Sequence, residues 1–148
     1  MRVLIVEDDM IIAGALGPIV TEAGCTLVGL AADRDTAIAL IHSSEIDLAL
    51  IDLRLLDGWT GGDVARAAKE NGVAVVFTTA NRSLCPADIA IGLIEKPYPA
   101  DGVAAALRYV AAQLSGARTG ARPKCLASPP AATAPRQRSM SDAANAMR

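Results

Sequence analysis

The sequence is poor in aromatic residues, which make up 3% of its 148 positions. Proteins that bind single-stranded nucleic acid stack the bases on exposed aromatic side chains. A chain with so few aromatic residues is not expected to form such a stacking surface. The sequence also shows no arrangement for reading base edges, and we therefore expect no specific DNA binding.

Cysteine is scarce too, and long apolar runs are absent. The three cysteines, Cys25, Cys85 and Cys125, are odd in number and lack C-x-x-C spacing, which argues against a disulfide framework or a zinc site. No stretch approaches the roughly 18 uninterrupted apolar residues of a membrane-spanning helix. Acidic residues follow the short apolar start too early for a signal peptide. These absences predict a cytoplasmic protein without a membrane segment.

Charge is unevenly distributed, although the net formal charge is only −2. Residues 1–114 hold eight Lys or Arg against 15 Asp or Glu, which gives −7. Residues 115–148 hold six Lys or Arg against one Asp, which gives +5, and their Ala- and Pro-rich sequence has no apolar period. We therefore predict one folded domain over residues 1–114 and a disordered basic tail over residues 115–148. The tail is a solvated extension, a docking segment for acidic partners such as nucleic acid, or a segment with a weak helix near residues 141–147.

Short, continuous apolar runs alternate with helical patterns along the first part. Continuous runs are typical of strands buried on both faces of a parallel sheet. The predicted strands are residues 3–6, 27–30, 48–51, 73–77 and 92–94; the predicted helices are residues 9–23, a segment capped by Asp33, 62–70 and 101–114. Residues 83–90 contain a proline and form at most a short helix. The pattern predicts an α/β fold with a doubly wound, five-stranded parallel sheet and helices on both faces.

Acidic residues follow two of these predicted strands. Glu7, Asp8 and Asp9 come directly after the first strand, and Asp52 comes directly after the third. Ligands of such sheets bind beyond the carboxyl ends of the strands. Carboxylates about 4 Å apart repel by about 4 kcal/mol at an effective dielectric of about 20, so the cluster needs a cation or protons. Oxygen ligands alone favour Mg²⁺.

Two further side chains complete a site for phosphoryl chemistry at this edge. Thr79 ends the fourth strand and Lys96 follows the fifth. A metal and an ammonium group would neutralise phosphoryl oxygens, and the hydroxyl would donate a hydrogen bond to one of them. Asp52 would then be the nucleophile that forms an acyl phosphate. Asp9 is expected to cap the first helix instead of joining the site.

The motifs VLIVEDD at residues 3–9, LID at 50–52, TA at 79–80 and KP at 96–97 resemble the receiver domain of two-component response regulators. The resemblance covers residues 1–114. It implies a flavodoxin-like, CheY-like sheet with strand order 2-1-3-4-5. It also implies phosphorylation by a histidine kinase or a phosphotransfer protein, and contact with a downstream protein that the sequence does not identify.

The resemblance also implies a role for each matching residue. Asp52 matches the phosphoacceptor, while Thr79 and Lys96 match the residues that hold the phosphoryl group. Glu7 and Asp8 match the acidic pair that holds Mg²⁺, with Asp8 as a direct ligand and Glu7 acting through water. The backbone carbonyl of Arg54 would be a further metal ligand.

Several positions depart from the pattern of receivers or of one receiver subgroup, beginning with Leu55-Leu56, where receivers often have Met-Pro. Leu93 stands where many receivers have an aromatic switch residue, so the usual coupling through a rotating ring is not expected. The Phe77-x-Thr79 pattern resembles a subgroup of single-domain receivers, but Ala80 replaces that subgroup's glycine. Asn81 follows, where the subgroup's aromatic residue is sought. We expect the loop from residue 81 to 86 to change conformation, and the resemblance implies that Arg54 and Asn81 tune hydrolysis of the acyl phosphate.

Two functions remain open from the sequence. The first is a single-domain receiver that is no enzyme in the usual sense, takes part in its own phosphorylation and dephosphorylation, and acts by protein contact, as a phosphate shuttle or as a phosphate sink. The second is a degenerate receiver that works as an interaction module without phosphorylation. An aspartyl phosphatase is disfavoured because Arg54 stands where a second, proton-donating Asp would be needed.

Overall fold

The computed structural model describes residues 1–132, which form a single six-stranded sheet flanked by helices. The strands are β1 Arg2–Val6, β2 Thr26–Ala31, β3 Leu48–Asp52, β4 Ala74–Thr79, β5 Gly92–Glu95 and β6 Leu126–Ala127. The helices are α1 Met10–Glu22, α2 Arg34–Ser43, α3 Gly61–Glu70 and α4 Ala100–Leu114, and a 3₁₀ turn spans Arg82–Leu84. The sheet order β2-β1-β3-β4-β5-β6 confirms the predicted α/β fold and its 2-1-3-4-5 order, and adds a sixth strand.

The two faces of the sheet bury separate apolar clusters, as continuous apolar strands require. Alternate residues such as Leu4, Ile51 and Phe77 pack with α2 and α3 on one face. Their neighbours, such as Ile5 and Leu50, pack with α1 and α4 on the other. Since burial of apolar surface drives folding, this arrangement fixes β1 and β3 side by side in the interior of the sheet.

Aspartate side chains begin the first two helices where the sequence predicts them. The Asp9 carboxylate accepts hydrogen bonds from the backbone N–H groups of Ile11 at 2.8 Å and Ile12 at 3.2 Å. The Asp33 carboxylate accepts one from the Thr36 N–H at 2.8 Å. These bonds satisfy N–H groups that a helix leaves without a partner at its start. The predicted capping role of Asp9 is thereby confirmed.

The short strand β6 corrects the prediction of disorder from residue 115 onwards. β6 pairs antiparallel with β5, with Ile94 opposite Leu126 and Leu93 opposite Ala127. Leu126 is the only large apolar residue between positions 115 and 132, and its side chain is buried in the core. One such residue leaves no apolar period to detect, but its burial is enough to hold the segment on the sheet. Residues 133–148 of the predicted tail lie outside the described residues.

No helix among residues 1–132 combines the length and the apolar character needed to cross a membrane.

Candidate functional site

The carboxyl ends of β1 and β3 bring three carboxylates together. Val6 pairs with Ile51 in the parallel register, so Glu7 and Asp52 are the next residues along two neighbouring strands. Glu7, Asp8 and Asp52 each offer a carboxylate oxygen, and these atoms lie within 4.8 Å of one another. The site predicted from the strand ends therefore forms, because the register of the two strands aligns their last residues.

Lys96 places its ammonium group between two of these carboxylates. Its Nζ atom lies 2.7 Å from Glu7 Oε2 and 2.8 Å from Asp52 Oδ2. The Lys96 backbone N–H donates to the Thr79 carbonyl at 2.9 Å, which continues the β4–β5 pairing and aims the lysine at the carboxylates. One ammonium group thus balances only part of the charge of three carboxylates.

The pKa values of Glu7 and Lys96 are both raised, for different reasons. Glu7 is almost fully buried, and this burial raises the pKa of its carboxyl group, although hydrogen bonds from Lys96 and from the Asp9 N–H partly offset the effect. Burial also lowers the pKa of Lys96, but the hydrogen bonds and charges of Asp52 and Glu7 outweigh it, so the net pKa of Lys96 is raised. The ammonium form of Lys96 is therefore secured by its two acidic partners.

The backbone of the loop after β3 and the start of α3 contact Asp52. Its Oδ1 atom accepts a hydrogen bond from the Arg54 N–H at 3.3 Å, and its side chain is 14% exposed. Gly61, the first residue of α3, packs directly on the end of β3: a Cβ atom there would lie 2.1 Å from the Asp52 carbonyl oxygen. The close approach excludes any side chain at position 61 without movement of the strand end. The Arg54 side chain is exposed, and the role of its carbonyl as a metal ligand stays a prediction.

Thr79 lies on the neighbouring strand with its hydroxyl directed into the following loop. Its side chain is buried, and its Oγ1 atom accepts a hydrogen bond from the Asn81 N–H at 3.0 Å and lies 3.5 Å from the Asn81 carbonyl oxygen. Ala80 and Asn81 are exposed, whereas Leu93 is fully buried in the core between β4 and β6. The hydroxyl is therefore bound to the loop, and position 93 contributes packing.

The donor set of this site fits a hard divalent cation. Three carboxylates provide only oxygen ligands, and their negative charge exceeds the single positive charge of Lys96. This combination of ligand type and excess charge suits Mg²⁺. Glu7, Asp8 and Asp52 would hold such an ion.

Two residues near the site escaped the sequence interpretation. The Tyr98 hydroxyl is buried and, among the described residues, is the one side-chain polar atom of this kind without a hydrogen-bond partner. Burial raises the pKa of this hydroxyl. Arg82, in the loop after Thr79, donates a hydrogen bond to the Ser128 carbonyl at 2.9 Å. Nothing in the sequence pattern indicates either feature, because each depends on residues that are distant along the chain.

Comparison with known proteins agrees with this geometry. A family model for the response regulator receiver domain matches residues 3–108. The curated transcriptional regulatory protein DltR of Streptococcus agalactiae serotype III (strain NEM316) is 31% identical over 122 residues, which cover 78% of this chain and 54% of that protein. The chain thus spans about half the length of this curated relative.

Solved structures show the same similarity. The response regulator PhyR from Brucella abortus is 28% identical with a TM-score of 0.62, over 78% of this chain and 51% of that one. The solution structure of the Erythrobacter litoralis PhyR response regulator REC domain is 27% identical with a TM-score of 0.65, over 81% of this chain and 93% of that one.

Proposed function

The chain belongs to the response regulator receiver domain family, and on that premise we propose that Asp52 accepts a phosphoryl group in a Mg²⁺-dependent reaction. A histidine kinase or a phosphotransfer protein is the proposed donor. The observation that supports this proposal best is the convergence of Asp52 with Glu7, Asp8 and Lys96 at one edge of the sheet. Three acidic residues, of which Glu7 is buried, exceed the single cation Lys96, and this arrangement suits the binding of a metal ion and a phosphoryl group.

The proposed transfer makes Asp52 the nucleophile. One of its carboxylate oxygens attacks the phosphorus atom as the P–N bond to the donor's phosphohistidine breaks, and the imidazole retains that electron pair. Lys96, already 2.8 Å from Asp52, would donate a hydrogen bond to a phosphoryl oxygen. The Thr79 hydroxyl would donate to another once it turns from the Asn81 carbonyl. A bound Mg²⁺ would offset the negative charge of the phosphoryl oxygens.

The proposed product is an acyl phosphate that water later hydrolyses, so the chain acts as a phosphoacceptor and not as an enzyme with a separate substrate. Receiver domains interact with kinases or other proteins. For this chain we propose signalling by protein contact, by passing the phosphoryl group on, or by drawing it away from another acceptor. Asn81, two residues after Thr79, is the residue we propose to tune the lifetime of the acyl phosphate.

Labelling with acetyl phosphate tests the proposal directly. The chain is incubated with acetyl phosphate and Mg²⁺, and intact-protein and peptide mass spectrometry detect and locate an added phosphoryl group. We expect labelling at Asp52 with Mg²⁺ and none with EDTA. Asp52→Asn should abolish labelling, whereas Asp57→Asn should retain it, because Asp57 is an exposed loop residue bonded to Thr60.

The opposite results would reject the proposal. Equal labelling of Asp52→Asn and the native chain would show that Asp52 is not the acceptor. No labelling of the native chain by acetyl phosphate or by any phosphorylated histidine donor, with Mg²⁺ present, is the result expected of a degenerate receiver that acts by binding alone.

A further inference from the structure

Residues 122–128, here called the strap, cover the edge of β5. Within the strap, Leu126 is 2% exposed and packs over Gly92, the first residue of β5. A Cβ atom at Gly92 would lie 2.5 Å from Leu126 Cδ1, so the absence of a side chain at position 92 makes room for Leu126. The edge of β5 therefore forms a fitted surface for an extended segment, and the strap binds there.

Arg122 secures the other part of the strap. Its guanidinium group donates to the Leu126 carbonyl at 2.7 Å, the Ile91 carbonyl at 3.0 Å and the Ala127 carbonyl at 3.1 Å. The same group lies over the Tyr109 ring of α4, 6.0 Å from its centroid. One arginine thereby connects the strap with the start of β5 and with α4.

Arg82 connects the strap to the loop that follows Thr79. Its Nη2 atom donates to the Ser128 carbonyl at 2.9 Å, and its Nη1 atom lies 3.9 Å from Glu95 Oε1. The Asn81 side chain caps the 3₁₀ turn that contains Arg82. Its Oδ1 atom accepts hydrogen bonds from the Ser83 N–H at 3.2 Å and from the Ser83 hydroxyl. Asn81 is also the residue that engages the Thr79 hydroxyl.

A phosphoryl group on Asp52 would compete for the Thr79 hydroxyl. A threonine hydroxyl has one proton to donate, and that proton is shared here with the Asn81 carbonyl. If the proton turns to a phosphoryl oxygen, the contact with the Asn81 carbonyl is lost, the hydrogen bond from the Asn81 N–H stays, and the turn that positions Arg82 loses one of its two links to Thr79. The strap pairs with β5 over only two residues, so the contact between Arg82 and Ser128 is one of a small number of contacts that hold its end.

We propose that the strap is an intramolecular ligand of the β5 edge whose binding is weakened by phosphorylation of Asp52, through Thr79, Asn81 and Arg82. The inference rests on the proposed function of Asp52, and it names the surface segment whose conformation would change when Asp52 is phosphorylated. Leu93, which stands where many receivers have an aromatic switch residue, belongs to this strand pair and lies opposite Ala127 of the strap. The strap thus provides this chain with a switch that needs no rotating ring.

The reactivity of Cys125 reports whether the strap is bound. Its Sγ atom donates to the Gly102 carbonyl at 2.8 Å, and the side chain is partly buried against α4. The full chain is treated with iodoacetamide in Mg²⁺, with and without beryllofluoride as the phosphoryl mimic, and peptide mass spectrometry follows each cysteine separately. We expect the alkylation rate of Cys125 to rise about fivefold with beryllofluoride, as the loss of one hydrogen bond predicts. The rate at buried Cys25 should stay unchanged.

A pair of arginine variants isolates the connection. Arg82→Ala removes the contact with Ser128, so Cys125 should react faster even without beryllofluoride, and beryllofluoride should add little more. Arg66→Ala is the matched control, because Arg66 is an exposed arginine on α3 that pairs with Asp63 and does not touch the strap. Arg66→Ala should behave as the native chain does.

Each outcome separates the strap from the phosphoacceptor. ¹⁹F NMR shows whether beryllofluoride has bound. Bound beryllofluoride with an unchanged Cys125 rate overturns the strap proposal and leaves the function of Asp52 intact. No bound beryllofluoride, together with no labelling of Asp52 by acetyl phosphate, overturns both. Equal Cys125 rates in Arg82→Ala and Arg66→Ala overturn the role of Arg82.

Discussion

The two ends of β1 and β3 present the same types of charged group in similar arrangements. At the amino end, Arg2 bonds to Asp47 through Nη2 at 2.9 Å and Nε at 3.1 Å, and it also pairs with Glu45. At the carboxyl end, Lys96 bonds to Glu7 and Asp52 at similar distances. Each end therefore joins one cation to two carboxylates across the same pair of strands.

Burial makes the two ends chemically different. Asp47 is 35% exposed, and hydrogen bonds from the Arg2 side chain and backbone N–H lower its pKa to about 2. The Glu7 side chain is 1% exposed, and burial raises its pKa. Asp8 adds a third carboxylate at the carboxyl end. A charged group that is open to solvent stabilises the strands without a further ion, whereas a buried group with excess acid is suited to bind a cation.

Replacement of the two cations should produce the largest difference. Lys96→Met leaves the buried carboxylate of Glu7 without its cation, which we expect to lower the free energy of unfolding by about 3 kcal/mol at pH 7 in EDTA. Mg²⁺ should recover part of this loss because it restores positive charge at the same place. Urea unfolding followed by circular dichroism, with EDTA or Mg²⁺, measures both effects.

Arg2→Met is the matched variant at the amino end. Its loss should be smaller, since solvent screens a partly exposed pair, and Mg²⁺ should not reduce the loss. Equal losses in the two variants, or a Mg²⁺ response of Arg2→Met alone, would show that burial does not distinguish the two ends.

Mg²⁺ affinity should also distinguish the carboxylates of the two ends, with a smaller free-energy difference than the replacement of the cations produces. Asp8→Asn removes one charged oxygen ligand from the carboxyl end, and we expect Mg²⁺ affinity to fall by at least about tenfold. Glu45→Gln removes an exposed charge from the amino end and should leave the affinity unchanged. Isothermal titration calorimetry with MgCl₂ measures both. The assignment is wrong if Asp8→Asn binds Mg²⁺ as tightly as the native chain.

The smallest expected effect is the contribution of the Asp47 ion pair to the pH dependence of stability. Because the pKa of Asp47 in the folded chain is about 2, below its ordinary value of 3.8, its ion pair stabilises the fold above pH 3.8. That contribution is lost as the pH falls through the folded pKa. Asp47→Asn should therefore be less stable than the native chain at pH 6, by less than about 1 kcal/mol because solvent screens the pair. The difference should shrink towards pH 2; urea unfolding in EDTA at several pH values measures it, and a constant difference would exclude this origin.

Local patterns along the chain predict most of the site. The buried strands are visible as continuous apolar runs, and Glu7, Asp8, Asp52 and Lys96 stand just after them. Strand ends in a parallel sheet share one edge, so the positions of these residues along the chain are sufficient to group them. The register of β1 and β3 brings Glu7 and Asp52 together as expected.

The strap could not be predicted from local patterns. β6 exists because Leu126 fills the space left by Gly92 and because Arg122 binds three carbonyls, and none of these contacts has a period or a motif. The link from Asn81 through Arg82 to Ser128 likewise joins residues that are 46 positions apart at its far end. Propensity and spacing describe neighbours along the chain and do not report such pairs.

The sequence by itself therefore determined the acidic edge, since this follows from the apolar runs and the residues that end them, and it implied the strand order through its resemblance to receiver domains. The tertiary structure alone decided how strongly each charge is buried, where the Thr79 hydroxyl points, and which segment covers β5. Those properties depend on atoms that folding brings together from distant parts of the chain, and they distinguish the buried, acid-rich end of β1 and β3 from the solvated one.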